Sequence, residues 1–312
     1  MSIYLGLDTS NYTTSAAVLD TETGELRQEK KLLPVKPGEM GLRQSDAVFH
    51  HVRQLPEMLE KVREKADGAL NAVAASDRPQ QVDGSYMPCF LVGSGAAREI
   101  AAAAGIPCRL FTHQQGHVAA ALWGADRREL IGERFLAFHV SGGTTDALLV
   151  EPDEKCVIRC RVAAHSLDLK AGQLVDRVGG MLGLPFPAGP ELDRLAGSAG
   201  GRYAPRPVLK GADCHLSGVE NQCRRMLDKG APAAETALFC LQSILAAVAG
   251  MTEALLKEFG PLPLVYAGGV MSNSLLRKEL TARYGGAFAP PAFSADNAAG
   301  IAFLCALADE AI

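Results

Sequence analysis

His113 and His117 stand four residues apart at the head of a segment, Gln114 to Leu122, that reads as helix. At that spacing two imidazoles leave one helix face and can share a metal ion. The same spacing also arises without a metal, because nothing in the pair demands a third ligand. Two residues elsewhere are candidates for that ligand. His139 directly precedes Val140-Ser141-Gly142-Gly143, and Asp296 stands at a helix start, where an aspartate serves equally well as N-cap. Between the paired histidines sits Gln115, which cannot take a proton, so the glutamate base of a metallopeptidase is missing.

A second kind of chemistry is suggested by two segments about 130 residues apart that look like copies of one unit. The first is Leu5-Gly6-Leu7-Asp8-Thr9-Ser10 followed by Thr13 to Asp20; the second is Phe138 to Gly143 followed by Thr144, Thr145 and Asp146 to Glu151. Each reads as strand, small polar turn, strand. Such turns leave backbone N–H groups and hydroxyls free to face an anion, and one in each half of the chain suggests a phosphate cradle; taken singly, either is an ordinary hairpin. Gly268 and Gly269 follow an apolar strand and precede the helix of Leu275, Leu276 and Leu280, where backbone can approach a flat ligand or simply turn at positive φ. In Leu184-Pro185-Phe186-Pro187-Ala188-Gly189-Pro190 the prolines rigidify a loop, with Glu191 and Asp193 in the first helical turn beyond it. Those acids either offset the helix dipole or accept hydrogen bonds from ribose hydroxyls.

The elements that must position these residues alternate. A helix carries Val48, Val52, Leu55, Leu59 and Val62 on its core face; a short strand at Phe90 to Val92 leads to an Ala-rich helix from Ala96 to Ala104; a strand around Arg109 to Phe111 delivers His113. Further on come a long buried helix through Leu238 and Leu255, a strand from Leu262 to Ala267, and a last helix from about Asp296. At 312 residues, two domains are expected, 1–130 and 131–312, with the last helix packing back on the first. Hydrophobic residues at 48% and charged residues at 21% describe a globular chain throughout. With no run of about 18 apolar residues and no basic leader before Ile3, the expectation is a cytoplasmic protein away from membranes. The eight cysteines include no CxxC pair and read as reduced, mostly buried thiols. A net charge of -4 argues against a dominant basic field, leaving Arg202, Arg206, Lys210, Arg224 and Arg225 as a local patch or a solvated face.

Taken in order, these segments resemble the TsaD family of tRNA threonylcarbamoyladenosine synthases, once called O-sialoglycoprotein endopeptidases, nearly end to end. The resemblance is carried by Leu5 to Ser10, His113-Gln-Gln-Gly-His117, Val140 to Thr145, Ala171 to Asp176 with Pro187 to Pro190, Ala267 to Asn273, and Ser294 to Ala298. It implies an α/β actin-like ATPase fold, duplicated into two lobes with the ligand cleft between them. It further implies one divalent metal ion, iron or zinc, on His113, His117 and Asp296, with His139 as an added ligand where some members place a tyrosine. The implied nucleotide contacts are Asp8, Thr9, Ser10, Ser141, Gly142, Gly143, Thr144, Thr145, Asp176, Gly189, Asp193, Gly268, Gly269 and Asn273. The reaction it implies moves a threonylcarbamoyl group from threonylcarbamoyl-AMP to the N6 amine of the adenosine beside a tRNA anticodon, the nucleotide being that adenylate, ATP or AMP. Implied partners are tRNA, a smaller actin-like paralogue and an accessory ATPase. Departures from the family pattern at Asn11-Tyr12-Thr13, Gln115 and Asp83 to Pro88 point to a divergent paralogue. They keep open a different acceptor or a non-catalytic nucleotide-binding partner.

Overall fold

A computed structural model of the chain describes residues 2–10, 12–34, 42–64, 68–294 and 298–309. It divides into two compact units. One comprises Met1–Glu133, Glu151–Cys160 and Ala292–Ile312, the other Arg134–Val150 and Arg161–Pro291.

The first unit is built on a five-stranded sheet. Its strands are β1 (Ile3–Ser10), β2 (Thr13–Asp20), β3 (Glu25–Leu32), β4 (Leu70–Arg78) and β5 (Cys108–Thr112), in the order β3-β2-β1-β4-β5. β1 pairs antiparallel with β2 and parallel with β4. All eight residues of β1 are buried, because helices cover both sheet faces. Ile3, Leu5 and Leu7 point to a cluster with Leu55, Met58 and Val62 of helix α1 (Gln44–Glu64) and Ala97 and Ala101 of helix α2 (Phe90–Ala104). The alternate face receives the C-terminal helix, Ala299–Ala308, which approaches so closely that a Cβ on Gly6 would meet its backbone at Ala302. Helix α3 (His113–Gly124) packs against that same helix, with Gly116 under Ile301.

Three sequence expectations are corrected here. The core face of α1 is Ala47, His51, Leu55, Met58 and Val62, so Val52 lies outside at 56% exposure. On that face His51 is buried with its Nδ1 2.8 Å from Thr14 Oγ1. Phe90 to Val92 is the first turn of α2 rather than a strand: Phe90, Gly93, Ser94 and Ala97 recur at helical spacing and are buried, while Leu91 is exposed. The last helix begins at Ala299, and Asp296 lies outside the described residues.

The remaining strands, which belong to the second unit except for residues 151–160 of β7 and β8, are β6 (Phe135–Val140), β7 (Thr145–Asp153), β8 (Val157–His165), the pair β9 (Val208–Lys210) and β10 (Asp213–His215), β11 (Leu264–Ala267) and β12 (Ala287–Phe288). The main sheet runs β8-β7-β6-β11-β12, which is the order of the first sheet repeated: two antiparallel outer strands, then two parallel ones. Its helices are α4 (Ala171–Met181), α5 (Gly189–Ala196), α6 (Ser217–Asp228), α7 (Ala233–Phe259) and α8 (Ser274–Tyr284). By length and composition α7 is apolar enough to cross a membrane, but 67% of its apolar window is buried, chiefly as the central element of this unit's core. Six of the eight cysteines are buried and all are free thiols.

Candidate functional site

β5 runs into α3 without a loop. The junction is set by a capping box: Thr112 Oγ1 accepts from the Gln115 amide, and Gln115 Oε1 accepts from the Thr112 amide at 2.7 Å. His113 is therefore the first residue of the helix.

Strand alternation places Asp8 and Ser10 on one face of β1, with Ser76 of β4 beside them. Asp8 is fully buried. Its Oδ1 accepts from Ser76 Oγ, and its Oδ2 accepts from Ser10 Oγ at 3.0 Å. Oδ2 also lies 3.1 Å from His113 Nδ1. A carboxylate at Nδ1 holds the proton on that nitrogen and turns the lone pair of Nε2 outward. That Nε2 stands 2.8 Å from Nε2 of His117, so the two ring nitrogens face each other at hydrogen-bond distance. These residues fit a metal ion chemically: two borderline-soft nitrogen donors, one of them oriented by a buried carboxylate. Among the described residues no group of three or more His, Cys, Asp or Glu gathers as a complete ligand set. Asp296 lies outside those residues, and His139 belongs to β6 of the second unit.

Gln115 is turned away from the histidines and buried. Its Nε2 donates to the carbonyls of Cys156 at 3.2 Å and Ile158 at 2.7 Å, which a glutamate could not do. The amide is thus required by the packing of the 151–160 segment on the first unit. Thr9 also faces inward: its Oγ1 donates to the Cys89 carbonyl at 2.9 Å and accepts from the Gly93 amide at 3.0 Å, fastening the start of α2.

A second polar chain, running from the surface to the buried His51, lies behind the β1–β2 hairpin. Gln54 Nε2 donates to the Leu32 carbonyl, Thr14 Oγ1 donates to Gln54 Oε1 at 2.8 Å, and His51 Nδ1 donates to Thr14 Oγ1 at 2.8 Å. Burial pushes the His51 pKa down to about 4, against the opposing pull of Asp8.

In the second unit the predicted nucleotide contacts gather at one end of the sheet, where β6 and β11 finish side by side. Ser141 donates its amide to the Thr144 carbonyl and accepts the Thr144 amide on Oγ, closing the turn. α4 starts against this turn: Ala171 N donates to Thr145 Oγ1 at 2.9 Å and Gly172 N to the Ser141 carbonyl at 3.0 Å. A Cβ on Gly172 would stand 2.5 Å from the Gly142 amide nitrogen, so glycine is obligatory there. Asp176 accepts the Ala188 amide at 2.9 Å, and Asp193 grips both the amide and hydroxyl of Ser274. Asn273 caps α8 through the Leu276 amide at 3.1 Å.

The glycines separate into two groups. Gly268 has φ 98° and its missing Cβ would strike the Val140 backbone, so the turn itself requires it. Gly142, Gly143, Gly189 and Gly269 do not lie at positive φ and have no atom within 4 Å of an added Cβ. Neither strain nor packing explains them.

Asp146 pairs in register with His139 across β6 and β7. Burial raises its carboxyl pKa, partly offset by Lys170 and His165. The sequence alone assigns no role to Ser76 or His51, and Gly172 enters only within the Ala171 to Asp176 segment. The readable signal for Ser76 was a polar residue closing the apolar run Ala72 to Ala75. His51 was hidden by a periodicity counted on apolar residues alone.

The duplicated sheet and its order define an actin-like ATPase fold. A ROK hexokinase from Thermus thermophilus superposes with a TM-score of 0.54 at 17% identity, covering 99% of each chain. A model of the TsaD family, described as tRNA N6-adenosine threonylcarbamoyltransferase, matches residues 36–303, and the chain belongs to that acyltransferase family. Two relatives carry the name tRNA N6-adenosine threonylcarbamoyltransferase. The one from Methanopyrus kandleri is 29% identical over 93% of this chain and 83% of its own. The one from Archaeoglobus fulgidus is 29% identical over 96% of this chain and 90% of its own.

Proposed function

We propose that this chain transfers a threonylcarbamoyl group from threonylcarbamoyl-AMP to the N6 amine of the adenosine beside a tRNA anticodon. The observation that carries the reading is the close approach of His113 and His117 Nε2 atoms under the buried Asp8 carboxylate, in a chain of the TsaD family. His113 and His117 would hold one divalent metal ion, iron or zinc, with Asp296 and His139 as the proposed further ligands. Such an ion supplies Lewis-acid polarisation of the carbamoyl carbonyl.

The remaining work falls to the chain's own groups. Asp8 orients His113. The Ser141 to Thr145 turn offers amides and hydroxyls to the adenylate phosphate, and its two open glycines let that phosphate approach the backbone. Asp176 and Asp193 each retain lone pairs beyond those used by Ala188 and Ser274, and these accept ribose hydroxyls beside the open Gly189. Gly269 and Asn273 border the base. As the amine nitrogen bonds to the carbamoyl carbon, the bond from that carbon to the phosphate oxygen breaks, AMP departs with the electron pair, and the proton lost by the amine passes to solvent.

The adenine nucleotide and tRNA are the ligands of this reading; a smaller actin-like paralogue and an accessory ATPase are its partners, in the cytoplasm. Incubating metal-loaded protein with threonylcarbamoyl-AMP, unmodified tRNA and the partners, then digesting the tRNA to nucleosides, tests it. Mass spectrometry should show threonylcarbamoyladenosine; unmodified adenosine throughout would reject the reading.

A further inference from the structure

α4 opens on a residue that helix starts disfavour. Lys170 occupies the N-cap, with φ -77° and ψ 146°, and its side chain caps nothing. Serine, threonine, aspartate and asparagine serve best there, and a cation opposes the helix dipole. The position nonetheless lies against the Ser141 to Thr145 turn. The next two amides of α4, those of Ala171 and Gly172, donate to Thr145 Oγ1 and the Ser141 carbonyl, and the missing Cβ of Gly172 leaves room for the Gly142 backbone. A residue that breaks a local rule beside such a turn calls for a compensating role.

The path of the side chain points to that role. Lys170 Nζ donates to the Ser166 carbonyl at 3.0 Å. Ser166 bridges Cys214 in parallel, with Leu167 N donating to the Cys214 carbonyl, so the amide and carbonyl of Ser166 itself both point away from β10 and toward β7. That amide donates to the Thr145 carbonyl at 2.9 Å. Lys170 Nζ therefore sits on the Thr145 side of Ser166, at the end of the turn. Asp146, the next residue, feels it there: burial raises its carboxyl pKa and the Lys170 charge lowers it. An ammonium carries three donors and the Ser166 carbonyl takes one, which leaves two beside a turn whose Gly142 and Gly143 stand open.

We propose that Lys170 is a phosphate-binding residue of this turn: its ammonium holds the adenylate phosphate and offsets the charge that AMP gains as it departs, an inference that rests on the transfer reading above. The competing role is a counter-charge for Asp146 alone, and calorimetry with AMP and with adenosine on the full chain separates the two. Lys170→Met should weaken AMP binding by about 10- to 100-fold and leave adenosine binding unchanged, while Lys170→Arg should keep most of the AMP affinity. The AMP loss should persist in an Asp146→Asn background, where replacing Lys170 should not lower the melting temperature. Equal losses for AMP and adenosine, or an AMP affinity indifferent to Lys170→Met once Asp146 is replaced, would overturn the assignment even where transfer proceeds. Wild-type protein that binds neither AMP nor adenosine and transfers nothing would remove the reading beneath it as well.

Discussion

Asp8 holds His113 by its Nδ1 while two serine hydroxyls hold Asp8, so Asp8 is the first residue to test. Asp8→Asn should weaken retention of the divalent ion by about 10- to 100-fold, measured by competition with a chelating dye, because the amide no longer fixes the His113 tautomer. His113→Ala should abolish retention altogether. A variant that kept its metal would separate the pair from metal binding. His51 supplies a pH signature of its own. Burial sets its native pKa at about 4 against 6.5 for the exposed ring, so the unfolded chain binds more protons between those values and stability falls as pH drops through that window. Denaturant titrations at pH 7 and pH 4 should show a loss of about 3 kcal/mol that a His51→Gln variant lacks. At this scale the histidine spacing was legible because it is a property of one helix. Ser76 and His51 were not, since their meaning comes from strands and helices distant in sequence.

At the scale of elements, Gln115 serves as a tie between segments. Its amide joins α3 to the 151–160 segment through two donated hydrogen bonds. Gln115→Glu would set a carboxylate against two carbonyls and should lower stability by about 2 to 4 kcal/mol by thermal or denaturant melting, with metal content unchanged. The start of α4 gives a complementary prediction. Gly172→Ala drives a methyl into the Gly142 backbone and should displace the Ser141 to Thr145 turn. Affinity for AMP should fall more than tenfold by calorimetry, an order of magnitude set by losing one or two phosphate contacts. Hairpins, the long α7 helix and the β5–α3 junction were readable from periodicity and capping residues. The start of α2 was not: an aromatic and two branched residues imitate a strand until the buried small residues that follow are counted with them.

Across the whole molecule, one sheet order occurs twice, and the two turn motifs that revealed the repeat each join the first pair of strands in their own sheet. The duplication is visible in sequence because both segments set serine and threonine between two apolar strands; β12, two residues long, has too little pattern to be seen. Each half presents chemistry the other lacks: a carboxylate-oriented histidine pair in the first, open glycine turns in the second. The most direct measurement is a single-turnover reaction with threonylcarbamoyl-AMP labelled in the carbamoyl carbon, metal-loaded protein, its partners and unmodified tRNA. The account predicts one labelled adenosine in tRNA for each AMP released, and none with His113→Ala. Release of AMP by the wild-type protein with label appearing only as free threonylcarbamate or carbon dioxide would contradict it.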